Sequence, residues 1–213
     1  MNWRLPNQLT VGRLLLAGVF FVLLALYDAP AAEHGWLLDV SLVVYLLAGL
    51  TDVLDGYLAR KWNVVSAFGR ITDPFVDKVL VCGAFALLTG SNFVFGDSAG
   101  DFERSLPFWL TGHMASGVQA WMVVVVMARE FIVSGVRGYS ESQGQTFPAT
   151  VYGKVKLFTQ SLAICAVLLQ LGNFPRTDWA VIVRLALVWV SVLATVLSGL
   201  AYVNRARRLL ASD

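Results

Sequence analysis

Asp52-Val53-Leu54-Asp55-Gly56-Tyr57-Leu58-Ala59-Arg60, then eight residues, then Gly69-Arg70-Ile71-Thr72-Asp73-Pro74-Phe75-Val76-Asp77-Lys78: four carboxylates stand at the ends of two long apolar runs. A charged side chain inside a membrane segment costs about 2.5–3.5 kcal/mol on insertion scales. Four carboxylates brought close together also repel one another unless something cationic holds them. The stretch therefore demands helices packed against other helices, and a positive partner for the acids.

Helical geometry gives the acids a direction. Positions 52, 55, 56 and 59 are spaced i, i+3, i+4, i+7 and share one helix face. That face carries two carboxylates, then Gly56 and Ala59, where almost no side chain intrudes, with Arg60 next in the chain. Asp73 and Asp77, at i and i+4, again share a face. Thr72-Asp73-Pro74 predicts a helix start with Pro74 at the first helical position.

The surroundings of this stretch are greasy. Of 213 residues, 57% are hydrophobic and 14% charged, where a soluble domain has about 25% charged residues. Six stretches suit the roughly 20 apolar residues a spanning helix needs: Leu9–Tyr27, Trp36–Ala59, Pro74–Phe95, Val118–Tyr139, Tyr152–Leu171 and Trp179–Val203. Continuous Leu- and Val-rich runs exclude the alternating strands of a barrel. The expected fold is an all-α integral membrane protein, a bundle of six transmembrane helices forming a single domain over residues 1–213. Cys82 and Cys165 lie in different apolar runs and read as small core residues.

Thirteen of the sixteen Lys and Arg residues fall on one side of such a bundle, leaving Arg104, Arg176 and Arg184 for the other. By the positive-inside rule both termini are cytoplasmic. Trp36, Trp62, Trp109, Trp121 and Trp179 lie near helix ends, as an aromatic belt requires. Ala29-Pro30-Ala31 has the small residues of a signal-peptidase site, but the preceding run is long for a signal and Arg13 interrupts it. The first helix is therefore expected to be retained. Residues 91–117 form a polar, glycine-rich interruption expected to face outward, with Phe102, Leu106, Phe108 and Trp109 able to lie on the membrane surface. His34 and His113 are lone histidines in outward loops, without partners at ligand spacing.

If the two acidic faces meet, four carboxylates converge at the cytoplasmic boundary. Oxygen-only donors select hard cations such as Mg²⁺ or Mn²⁺, and a pair of metal ions about 3.5–4 Å apart is an established device for phosphoryl transfer. Taken singly, each residue has a plainer reading. Asp73 fits a helix cap, the other acids fit salt bridges to Arg60, Lys61 or Lys78, and Gly56 and Ala59 fit close helix packing.

Jointly the residues form the pattern D-x2-D-G-x2-A-R-x8-G-x3-D-x3-D, met at every position from Asp52 to Asp77. It resembles the hallmark of the CDP-alcohol phosphotransferases, and the six-helix layout extends the resemblance over most of the chain. The resemblance implies that Asp52, Asp55, Asp73 and Asp77 bind two divalent ions, with Asp77 doubling as general base. It implies that Gly56, Ala59 and Gly69 make room for a CDP-linked lipid and that Arg60 contacts its diphosphate, and it implies a homodimer. Asn7, Thr10 and Arg13 are candidates for nucleotide contact, although Asn7 fits a helix cap equally well.

Three shorter stretches are similar to those of bacterial phosphatidylglycerophosphate synthases: Pro6 to Arg13, Asp73 to Lys78, and Arg129 to Arg137, with Gly153-Lys154-Val155-Lys156 fitting as well. The 91–117 loop departs from that likeness by its length. Independently, Arg129, Arg137, Lys154 and Lys156 gather at the inner ends of the fourth and fifth spans. A phosphate-bearing acceptor such as glycerol 3-phosphate needs such cations beside four aspartates. The same four residues also satisfy the positive-inside rule or anionic headgroups, and Arg129 beside Glu130 allows an internal ion pair. The expectation is a multi-pass enzyme of the bacterial inner membrane that transfers phosphatidyl from CDP-diacylglycerol to glycerol 3-phosphate, with no nucleic-acid partner. Another acceptor (inositol phosphate, serine or phosphatidylglycerol), a prenyl-transferring membrane enzyme, and a cation transporter or channel are the competing readings.

Overall fold

A computed structural model describes residues 4–29, 34–62, 67–96, 99–143 and 151–210, with side chains for all of these but 4–10, 55–60, 62, 67–74, 77, 141, 151 and 205–210. The described elements are helical, apart from an isolated antiparallel bridge between Val94 and Met114. The long helices are α1 (Arg4–Leu26), α2 (Trp36–Trp62) and α3 (Ala67–Leu87), succeeded by the short α4 (Asp101–Ser105) and α5 (Phe108–Thr111). Then come α6 (Ala120–Ser142), α7 (Val151–Asn173) and α8 (Asp178–Leu210).

Local chemistry explains the ends. Gly112 closes α5 in the left-handed conformation (φ 64°), its N–H donating to Phe108 O, a position where a side chain is penalised. Gln170 caps the end of α7 by donating from Nε2 to the carbonyls of Phe174 and Pro175. Asp39 in the first turn of α2 favours the positive end of the helix dipole, and Asn173 Nδ2 donates to its carboxylate at 2.7 Å.

Two helix boundaries differ from the sequence expectation. Helix α3 begins at Ala67, so Pro74 sits inside it rather than at its first position, and Asp73 lies beyond the first turn rather than at a cap. The Pro74 signal misleads because a proline also tolerates a helix interior where its missing N–H is compensated. Helix α3 also stops at Leu87, short of Phe95. Beyond it the chain forms an ordered assembly, in which a 3-10 turn at Ser91–Phe93 and the two short helices dock onto the bundle.

Helix directions alternate, so one end of the bundle collects the start of α2 and the ends of α1, α3 and α7. There Asn92 donates to the carbonyls of Leu24 and Tyr27, Gly35 packs against Gly172, and Ser116 Oγ donates to Leu88 O. The core holds Phe20, Leu24, Phe85, Leu88, Ile164 and Leu168, all fully buried. At Gly83 a Cβ would run into the Phe21 ring, so glycine permits α1 and α3 to touch.

Outward faces are as apolar as the interior: Leu15, Leu26, Phe131, Phe158 and Leu193 are each well exposed, the arrangement of a protein solvated by lipid rather than water. Among the described residues, three helices are long and apolar enough to cross a membrane, over Trp36–Leu54, Tyr152–Asn173 and Asp178–Asn204. Shorter apolar helical stretches run over Val11–Leu26 and Lys78–Leu87. Charges also fall within the other long helices: Arg13 in the apolar stretch of α1, Lys78 in that of α3, and Arg129 with Glu130 in α6. Those same residues build the site.

Candidate active site

The link between α2 and α3 spans only residues 63–66, so the C-terminal part of α2 and the N-terminal part of α3 occupy the same end of the bundle. Asp52 stands ten residues before Trp62, and Asp77 stands ten residues after Ala67. At 1.5 Å per residue both lie ~15 Å along their helices from the link. Asp55 and Asp73 stand seven and six residues from it, ~10 Å and ~9 Å. The four acidic positions thus pair off by depth, Asp52 with Asp77 and Asp55 with Asp73. Helix α1 packs against both α2 and α3, and carboxylates are the donor type that suits hard divalent cations.

Of the residues expected here, Asp55, Gly56, Ala59, Arg60, Gly69, Asp73, Asp77, Asn7 and Thr10 are placed on their helices, and their side chains lie outside the described residues. Asp52 and Arg13 are described in full. Arg13 on α1 is 1% exposed, and its Nη1 lies 2.6 Å from Asp52 Oδ1. A candidate nucleotide contact thus stands against a candidate metal ligand. Asp52 is ion-paired across helices, to α1.

The cationic residues resolve into one knot and two outliers. Arg129 is buried; its Nη1 donates to Glu130 Oε1 at 2.9 Å and its Nη2 to Ser198 Oγ at 2.6 Å. Lys156, 4% exposed, donates to the same Glu130 oxygen from α7. The internal Arg129–Glu130 pair that the sequence allows is present, and Lys156 joins it. The Arg129 guanidinium lies over the Tyr202 ring at 5.4 Å, while Gly199 lets the Arg129 stem lie close against α8. Arg137, two turns further along α6, reaches the Tyr202 hydroxyl at 3.4 Å. Lys154 is exposed and takes no part in the knot.

Sequence reading misses Lys78 as a connector. Its ammonium donates to Ser134 Oγ on α6, and that hydroxyl donates to Glu130 O at 2.6 Å. The residue directly after Asp77 is therefore tied to the helix that carries Arg129 and Glu130. The available signal is the pairing of a mid-helix lysine with a mid-helix serine, each costly to leave unsatisfied in lipid. Acids on α2 and α3 and cations on α3, α6 and α7 thus gather toward one end of the bundle.

Residues 3–197 match the family model described as CDP-alcohol phosphatidyltransferase. The chain belongs to the CDP-alcohol phosphatidyltransferase family. It is similar to the CDP-diacylglycerol–glycerol-3-phosphate 3-phosphatidyltransferase of Bacillus subtilis (strain 168), at 32% identity over 95% of each chain. The protein of the same name from Salmonella paratyphi A is 32% identical over 97% of each chain. That of Rickettsia typhi is 29% identical over 93% of this chain and 94% of its own.

Proposed function

We propose that the chain transfers the phosphatidyl group of CDP-diacylglycerol to glycerol 3-phosphate, yielding phosphatidylglycerophosphate and CMP. The carrying observation is that Lys78, next in the chain to Asp77, is tied through Ser134 to the helix of Arg129 and Glu130, where Lys156 also binds. A donor diphosphate calls for metal-loaded carboxylates, and an anionic acceptor calls for fixed cations; the site supplies both. Near-full-length similarity to relatives bearing this activity in their names supports the choice of substrates.

In this mechanism Asp52, Asp55, Asp73 and Asp77 would hold two Mg²⁺ or Mn²⁺ ions. When bound, such ions offset the charge of the diphosphate and of the departing oxygen. Gly56, Ala59 and Gly69 leave space for the cytidine part, and Arg60 pairs with the diphosphate. Asn7 and Thr10 line the same approach, and Arg13 fixes the Asp52 carboxylate. Asp77 accepts the proton of the acceptor hydroxyl as its oxygen attacks the lipid-linked phosphorus. The new P–O bond forms as the bond to CMP breaks. Arg129 and Lys156 receive the acceptor phosphate, with Arg137 and Lys154 flanking its approach.

All six long helices cross the bilayer in this reading, both termini and the site face the cytoplasm, and the protein is a multi-pass homodimer of a bacterial inner membrane. The thirteen cations on one side support the orientation, and the exposed apolar faces support the lipid setting. The test is CMP release by the purified protein in CDP-diacylglycerol vesicles, with glycerol 3-phosphate, inositol phosphate, serine and phosphatidylglycerol supplied in turn. Release with glycerol 3-phosphate alone is expected. Release with another acceptor instead moves the protein elsewhere in the family, and cation flux across sealed vesicles without CMP replaces the enzyme with a transporter.

A further inference from the structure

Glu130 sits on α6 between the cations of α6 and α7. One of its oxygens takes both Arg129 Nη1 and Lys156 Nζ, so a single carboxylate anchors two cations from two helices. Lys78 adds a third, held one turn further along α6 at Ser134. Arg129 and Lys156 are more than nine-tenths buried and share one carboxylate oxygen. Nearly buried cations in excess are costly unless an anion joins them. Arg129 is further fixed by Ser198 Oγ and by the Tyr202 ring beneath its guanidinium. It is held in one orientation, not left to sweep the surface. Lys156 has three donors, of which Glu130 takes one.

We infer that Glu130 is a positioning residue for the acceptor: it holds the Arg129 and Lys156 cations side by side as a cradle for a phosphomonoester dianion. The inference rests on the proposed transfer to a phosphate-bearing acceptor and adds which residue sets the geometry of its recognition. Glu130 itself does not touch the acceptor. It repels a dianion weakly, yet it holds the two cations side by side at one oxygen. Shortening the carboxylate by one methylene, in Glu130→Asp, keeps the charge but draws both cations out of register. Removing the charge, in Glu130→Gln, leaves an amide oxygen that can accept from both cations but no longer offsets their mutual repulsion.

The test is steady-state CMP release by the full chain in vesicles, varying glycerol 3-phosphate at saturating CDP-diacylglycerol and then the reverse. Inorganic phosphate is used as a competitor against glycerol 3-phosphate. Glu130→Asp is expected to raise KM for glycerol 3-phosphate about 3- to 10-fold and the inhibition constant of phosphate in parallel. Its KM for CDP-diacylglycerol is expected to stay within about twofold. Glu130→Gln is expected to raise the acceptor KM more than tenfold. If Glu130→Gln does not fold, Glu130→Asp alone decides the matter. An Asp variant whose two KM values are both unchanged, or that loses only kcat, overturns the inference while leaving the transfer reaction standing. A wild-type protein that releases CMP without regard to glycerol 3-phosphate overturns the acceptor reading and this inference with it.

Discussion

Two buried carboxylates, one toward each end of the bundle, meet their arginines in different ways. At the end bearing α4 and α5, Glu103 is 1% exposed and pairs with Arg184 of α8, which is fully buried and also donates to Ala115 O and Gln170 Oε1. Charges there balance one to one, and neutral acceptors take other donors of the same guanidinium. Burial holds the Glu103 carboxyl above its ordinary range, opposed by the guanidinium of Arg184 beside it. Toward the other end, Glu130 meets two cations, with a third close by. A balanced pair closes a joint, fastening the loop between α3 and α6 onto α8. A pair with a cation surplus leaves something to bind.

The sharpest way to break this contrast is to remove chemistry from one end only. Asp77→Asn is expected to cut CMP release by roughly 10³-fold, the scale of a lost general base, without lowering the melting temperature. A variant that keeps the wild-type rate removes Asp77 from its assigned role. Stripping divalent ions with a chelator is expected to suppress turnover by at least ~100-fold, consistent with several kcal/mol of charge stabilisation, and Mg²⁺ or Mn²⁺ should restore it. Turnover that survives chelation would divorce the aspartates from metal.

Smaller effects sharpen the contrast from the other side. Glu103→Gln leaves Arg184 buried without its counter-charge, a loss of about 3–5 kcal/mol, and is expected to lower the melting temperature by about 5–15 °C. Its KM values should not move; a selective acceptor defect there would give the outer pair a part in recognition. Ser198→Ala removes one hydrogen bond to Arg129, about 1 kcal/mol, and is expected to raise the acceptor KM about 2- to 5-fold. No change would show that Tyr202 and Glu130 alone fix the guanidinium.

Legibility in the sequence tracks the range of the forces involved. The long helices are legible because apolar runs of spanning length admit few other structures. The aspartate faces are legible because i, i+3, i+4 spacing is local. The start of α3 is not, since Thr72-Asp73-Pro74 carries a start signal that the preceding turns from Ala67 override. Glu103 and Arg184 are 81 residues apart, and no periodicity links a loop acid to a mid-helix arginine. Arg13 looks like a ligand for nucleotide, and only helix packing shows it against Asp52. The 91–117 stretch reads as an outward polar interruption because its glycines and charges conceal how deeply Phe93, Glu103, Thr111 and Ser116 are buried.

The most direct measurement is a glycerol 3-phosphate saturation curve taken together with a melting curve, on the wild type, Glu103→Gln and Glu130→Asp. The account predicts a crossed result: Glu103→Gln melts early with an unchanged acceptor KM, and Glu130→Asp melts near the wild type with a raised one. Two variants that shift the same quantity, in the same direction and by similar amounts, would contradict it.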